Sequence, residues 1–316
     1  CCLLIFASCS KEETLPAPSD PQNFYRLNAF EVDVTPKFRQ VKILFQATDF
    51  SHNGISDITE DDLDVFENGN RIDLEGDLTI TRDSTPFNLQ TVLLLDLTRS
   101  VEGLVEQIKT ASIAMINQKL PDQEIAIYTF DANTRLVQDF TRDRADLIAA
   151  INSIPETDLV NSTNLYGAVR DMADLWEDNY TIESITDGSV IIFTDGRHNA
   201  TPNITLNDAM VALQGKKRFV AALSSPDLDE TSLKTLAERE DRYFKADDVA
   251  GLESMFLAIQ GEIQRLSNSI YYMYYQSPIT DPSPYENQLR IEVKNNANRG
   301  SDRLIDETFN SQGFGL

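Results

Sequence analysis

At 316 residues, 41% of them hydrophobic and 25% charged, the chain has the composition of a folded protein and the length for two domains. Its 27 basic against 51 acidic side chains leave a net charge of −24, a surface that repels nucleic acid and anionic lipid and draws divalent cations, so a DNA- or RNA-binding role is disfavoured. All three cysteines fall in the first nine residues, which leaves the body no thiol for a disulfide or a thiolate zinc site; a histidine metal cage or a Ser/His/Asp triad would have to draw on one of only two histidines, His52 and His198, which lie far apart in sequence and each read as a surface residue.

The chain opens Cys1-Cys2-Leu3-Leu4-Ile5-Phe6-Ala7-Ser8-Cys9, without an initiating methionine or a basic segment ahead of the apolar run. That run is far shorter than the roughly 20 residues a membrane-spanning helix needs, so residues 1–9 read as the end of a truncated signal peptide. Phe6-Ala7-Ser8-Cys9 resembles the lipobox of bacterial lipoproteins, with phenylalanine where leucine is usual, and the resemblance implies lipidation of Cys9; the alternative is an ordinary signal peptide ending nearby. Ser10-Lys11-Glu12-Glu13 resembles the signal that sends Bacteroidetes lipoproteins to the outer face of the outer membrane, or is a solvated linker. A surface-exposed outer-membrane lipoprotein is therefore expected, or failing that a periplasm-facing one. Pro16, Pro18 and Pro21 keep the segment extended, and residues 10–27 read as a disordered tether.

From residue 28 the pattern alternates. Phe30, Val32 and Val34, then Val41, Ile43, Phe45 and Ala47, mark half-buried strands, and Asp64-Val65-Phe66-Glu67-Asn68-Gly69-Asn70-Arg71-Ile72 reads as a hairpin about an Asn-Gly turn. Residues 62–72 resemble a stretch that precedes von Willebrand factor A domains in bacterial surface proteins. The acidic stretches 60–64, 227–230 and 238–241 contain no EF-hand loop and read as solvated faces.

Val92-Leu93-Leu94-Leu95-Asp96 is a continuous apolar run ending in a carboxylate, as a buried parallel strand would be. Asp96-Leu97-Thr98-Arg99-Ser100 follows an Asp-x-hydroxyl-x-Ser pattern. Asn161-Ser162-Thr163-Asn164-Leu165-Tyr166-Gly167-Ala168 comes next, and then a second buried run, Val190-Ile191-Ile192-Phe193-Thr194-Asp195-Gly196. In this order the three stretches resemble the metal-ion-dependent adhesion site of the von Willebrand factor A (VWA) family. The resemblance implies a metal held by Asp96, Thr98, Ser100, Thr163 and Asp195, two carboxylates and three hydroxyls. An all-oxygen set suits a hard cation, Mg²⁺ above Mn²⁺ or Ca²⁺, and does not favour zinc. A vestigial site that keeps the fold without metal is the alternative.

Val101, Leu104, Val105, Ile108, Ala111 and Met115 recur at helical spacing and predict a helix starting at the metal loop. Residues 124–130 and 136–140 read as strands about the turn Asp131-Ala132-Asn133-Thr134. Leu165, Ala168, Val169, Met172 and Trp176 predict a second helix, 206–213 a third, 218–223 a strand, and 249–266 a last helix ending near Asn268. Strands and helices alternate, so residues 88–268 are expected to form an α/β domain: a doubly wound, mostly parallel sheet with helices on both faces and its ligand loops at the strand C-terminal ends. The loop 197–205 follows Asp195 directly and is expected on the rim of the site, as the segment that selects a partner.

Residues 270–275 and 288–293 again read as strands, parted by Pro278, Pro282 and Pro284. Too few strands lie on either flank to close a sheet pair alone. Residues 28–87 and 269–316 are therefore expected to build one small antiparallel β-sandwich with the VWA domain inserted, similar to the arrangement in integrin β chains; otherwise the flanks fold separately. The expected function is binding: a surface lipoprotein whose metal captures an acidic side chain of a protein or matrix partner. The alternative is a structural subunit of a surface or secretion-related assembly, in which metal only orders the loops. No phosphate-binding Gly/Lys loop, acid/base pair or activated nucleophile accompanies the ligand loops, so an enzyme is not expected.

Overall fold

The computed structural model describes residues 22–72, 78–81, 86–200, 204–237, 239–282 and 285–315. Cys9 and the Ser10-Lys11-Glu12-Glu13 stretch lie outside them.

Alternating apolar residues give the first flank its strands: β1 (Arg26–Thr35), β2 (Gln40–Thr48), β3 (Leu63–Glu67), β4 (Asn70–Arg71) and β5 (Thr79–Thr81). Asn68 and Gly69, with φ of 49° and 80°, make the two-residue turn between β3 and β4, where positive φ at both central positions matches the twist of the paired strands.

A central unit follows: β6 (Phe87–Asp96), α1 (Val105–Asn117), β7 (Gln123–Phe130), β8 (Thr134–Thr141), α2 (Arg144–Ser153), α3 (Leu165–Asp171), β9 (Asn179–Tyr180), β10 (Ile185–Thr194), α4 (Leu206–Ala212), β11 (Lys217–Leu223), α5 (Glu230–Leu236), β12 (Tyr243–Ala246) and α6 (Leu252–Ser267). Its sheet runs β12-β11-β10-β6-β7-β8, parallel but for β8 at one edge, with β9 antiparallel to β10. The α/β expectation holds. The continuous apolar runs have a plain cause, since successive strand residues face opposite ways and both faces are covered. Leu93, Leu95, Ile191 and Phe193 pack on one side against Ile108 and Met115 of α1, Leu147 and Ile151 of α2, and Phe256 and Ile259 of α6. Val92, Leu94, Val190 and Ile192 pack on the other against residues of α3, α4 and α5.

The structure departs from the expected elements at several places. The segment after Ser100 begins as a 3-10 turn, Arg99–Leu104, before α1 starts, and α3 stops at Asp171, short of Trp176. The acidic stretch 227–230 leads into helix α5, whose first residue is Glu230, and the Asp229 side chain caps that helix by accepting a hydrogen bond from the Ser232 amide.

The chain then returns to the flank strands through β13 (Ile270–Gln276), β14 (Glu286–Val293) and β15 (Leu304–Asn310). β13 lies between β2 and β5, and β14 between β15 and β3, in two four-stranded antiparallel sheets. The sheets share one apolar core, to which Ile43, Phe45, Tyr271 and Met273 contribute from one side and Val65, Leu289, Ile291 and Phe309 from the other. In it Glu67, 4% exposed, accepts hydrogen bonds from Tyr275 (2.8 Å) and Ser277 (2.9 Å). The sandwich and the central unit meet where the rings of Phe30 and Tyr180 stack at 4.2 Å, and where Gln46 Nε2 donates to Ser269 Oγ (2.9 Å) beside the end of α6.

Candidate metal centre

Strands β6 and β10 are neighbours in register, with Leu95 opposite Phe193, so the loops after Asp96 and Thr194 leave the sheet side by side. From β6 the chain turns to β7 on one side, while β10 flanks β6 on the other. The gap between them is the switch point at which open α/β sheets place ligands.

Asp96 ends its strand by folding back on itself. Its Oδ1 accepts from the Thr98 amide (3.1 Å) and from Thr98 Oγ1 (2.8 Å), the self-bonded turn to which aspartate is suited. Its Oδ2 accepts from Thr194 Oγ1 at 2.6 Å. Thr98 Oγ1 lies 3.0 Å from Ser100 Oγ, and Ser100 Oγ donates to Asp195 Oδ1 at 2.8 Å. Four of the five expected ligands thus form one chain, Asp96–Thr98–Ser100–Asp195.

The fifth, Thr163, sits on the adjoining loop. That loop is tied to the first by a parallel bridge between Thr98 and Val160, with the Arg99 amide donating to the Val160 carbonyl at 2.9 Å. Thr163 is 6% exposed. Its amide donates to Asn199 Oδ1 (2.7 Å), and its carbonyl accepts from the Asn199 amide (3.0 Å).

The site is short of positive charge. Asp96 is fully buried, and burial pushes its carboxyl up to about 7, with the nearby Asp195 carboxylate adding to the rise and the Thr194 and Thr98 donors opposing it. Burial likewise raises Asp195, against the Ser100 hydrogen bond. Among the described residues no lysine or arginine pairs with either carboxylate, and no cluster of three or more His, Cys, Asp or Glu side chains gathers to hold a metal. The hydroxyls therefore decide the chemistry. Thr98 and Ser100 bring two protons to three oxygen–oxygen contacts, so with both carboxylates ionised the 3.0 Å contact between the hydroxyls has none left. Either a further proton on a carboxylate or a cation facing the lone pairs makes good the deficit. This all-oxygen donor set fits a hard divalent ion.

Three residues at the site lie outside the expected ligand set: Thr194, Asn199, which falls in the loop expected to select a partner, and Ser225, which donates to the Asp195 carbonyl. Thr194 stood inside the quoted motif, and a hydroxyl at the end of a buried strand was the signal for it. His198 is not the surface histidine expected: its ring stacks on Tyr166 at 4.5 Å beside the site, and burial lowers its pKa. Of the loop 197–205, residues 201–203 lie outside the described residues.

Residues 91–198, which include all five expected ligands, match the family model described as von Willebrand factor type A domain. The chain carries a VWA domain. Among solved structures similar to it is the vWF domain of the type V pili tip protein Mfa5 from Porphyromonas gingivalis, at 14% identity and TM-score 0.49, covering 58% of this chain and 96% of that one. Another is the von Willebrand factor type A protein from Catenulispora acidiphila, at 11% identity and TM-score 0.48, covering 93% of this chain and 74% of the other. A third is proximal thread matrix protein 1 from the mussel byssus, in a structure described with a zinc-occupied MIDAS motif; the identity is 14%, the TM-score 0.47, and the match spans 63% of this chain but only 50% of the mussel protein. No curated protein matches the chain in sequence.

Proposed function

We propose that the VWA domain binds a divalent cation, Mg²⁺ first, through Asp96, Thr98, Ser100, Thr163 and Asp195, and uses it to capture an acidic side chain of a protein partner. The observation that carries this reading is the proton shortfall in the Asp96–Thr98–Ser100–Asp195 chain, in a site that no basic residue neutralises. Asp96 and Asp195 would balance the ion's charge while the hydroxyls supply neutral oxygen donors. A bound cation of this kind offers an electrophilic point to an incoming carboxylate. The role is binding rather than catalysis: Ser100 and Thr98 spend their hydroxyl protons on carboxylates inside the site. On this reading the chain is a lipoprotein anchored through Cys9, facing outward from a bacterial outer membrane.

The test is a titration of the full chain with Mn²⁺, followed by electron paramagnetic resonance of the free ion. The unaltered protein should bind about one ion competitively with Mg²⁺, and Asp96→Asn should bind none while keeping the native circular dichroism spectrum. Equal binding by the two proteins would reject the site. Partner capture from surface membrane fractions should then disappear with chelator; partners retained without metal would favour the scaffold alternative.

A further inference from the structure

The two loops that carry Thr163 and Asp195 touch through a clasp that the ligand set does not account for. Asn199 is exposed, yet its side chain turns inward to accept from the amide of the buried Thr163 at 2.7 Å, and its own amide donates to the Thr163 carbonyl at 3.0 Å. One residue thus holds both the N–H and the C=O of Thr163. Beside it the rings of His198 and Tyr166 stack at 4.5 Å and 17°, with the Tyr166 amide donating to His198 Nδ1 at 3.4 Å. The remaining ties on this loop fall on its neighbours: Val160, whose carbonyl accepts from Arg99, and Asn164, whose amide donates to the Asp131 carbonyl at 2.7 Å. Among the described residues no protein group hydrogen-bonds the Thr163 hydroxyl, so the hydrogen bonds that place this residue are those of its main chain.

We propose that Asn199, backed by the His198–Tyr166 ring pair, is a positioning residue that holds Thr163 in the metal centre. The inference rests on the metal-binding reading above. A threonine contributes one neutral oxygen, and a weak donor of this kind counts only if its place is set before the ion arrives. Asn199 sets it from the same loop that brings Asp195, which couples the placement of two ligands from distant parts of the sequence. Partners that orient a ligand are worth about 10- to 100-fold in metal affinity.

The full chain, Asn199→Ala, Asn199→Asp and Asp96→Asn are titrated with Mn²⁺, and amide hydrogen exchange at Thr163 is followed without metal. The proposal expects Asn199→Ala to bind Mn²⁺ about tenfold more weakly and to expose the Thr163 amide to exchange. Asn199→Asp keeps the acceptor oxygen, and should restore both the protection of that amide and an affinity at or above that of the unaltered chain. Mn²⁺ binding by Asn199→Ala equal to that of the unaltered chain, while Asp96→Asn binds none, would overturn the clasp and leave the metal site standing. So would a loss in Asn199→Ala that Asn199→Asp fails to repair. If the unaltered chain binds no Mn²⁺, or Asp96→Asn binds it equally, the metal reading falls and the clasp falls with it.

Discussion

Asp96 is where charge, burial and function meet. Its carboxyl is pushed up to about 7 from an ordinary 3.8, so under the proposed function proton and metal compete for one group. For the metal-free chain the sign is that of a raised pKa: the stability this group contributes is complete below 3.8 and is lost as pH rises through about 7. The full span corresponds to about 4 kcal/mol. Asp96→Asn should therefore melt higher than the unaltered metal-free chain at pH 8 and alike at pH 4, in paired thermal scans. Metal affinity should move the other way, falling by up to about tenfold per pH unit below 7 as the proton is displaced, which a Mn²⁺ titration between pH 5.5 and 8 would show. Glu67 is a second buried carboxyl, raised by burial against its bonds from Tyr275 and Ser277. By the same sign its contribution is lost as pH rises through the raised value. Glu67→Gln, which can keep the Tyr275 bond, should be more stable than the unaltered chain at pH 8 and alike near pH 4, read by urea unfolding.

Strands β6 and β10 and the motifs that close them were legible because a doubly covered strand cannot hide its apolar run: Leu93 and Leu94 serve opposite faces and both must be greasy. The less obvious elements owe their structure to contacts that sequence spacing does not carry. Helix α2 buries only Leu147, Ala150 and Ile151, and α5 only Leu233 and Leu236, too few in either to stand out as a stripe. Asn199 lies in a loop expected on the rim of the site, but its tie to Thr163 has no signature, because the hydrogen bond joins residues 36 positions apart. The junction of α6 with the sandwich is equally silent in sequence. Gly54 there approaches so closely that a β-carbon would lie 2.2 Å from the Arg265 carbonyl oxygen. Because the obstacle is backbone, Gly54→Ala should cost about 1–3 kcal/mol in thermal or denaturant unfolding, and should speed amide exchange at Ser269, whose amide donates to Leu266 at the end of α6.

Over the whole molecule, the middle of each flank sheet is filled by a strand that arrives after the VWA domain. β13 separates β2 from β5, and β14 separates β3 from β15, so neither sheet exists without the C-terminal residues. A chain ending at Ser269 should lose the sandwich, with residues 22–72 cleaved early in limited proteolysis, while β6 to α6 stay protected. Survival of those residues would show that the first flank folds by itself. The chain enters the VWA domain at Phe87 and leaves it at Ile270, and these two residues pack in one small apolar cluster, at the far end of the ten-residue β6 from Asp96. A pull on the loop after Asp96 therefore runs lengthwise down β6, where backbone bonds to β10 and β7 meet it in shear, to its Phe87 end beside Ile270. Both covalent connections to the sandwich thus sit at the opposite end of β6 from Asp96, and a load on that loop meets them together.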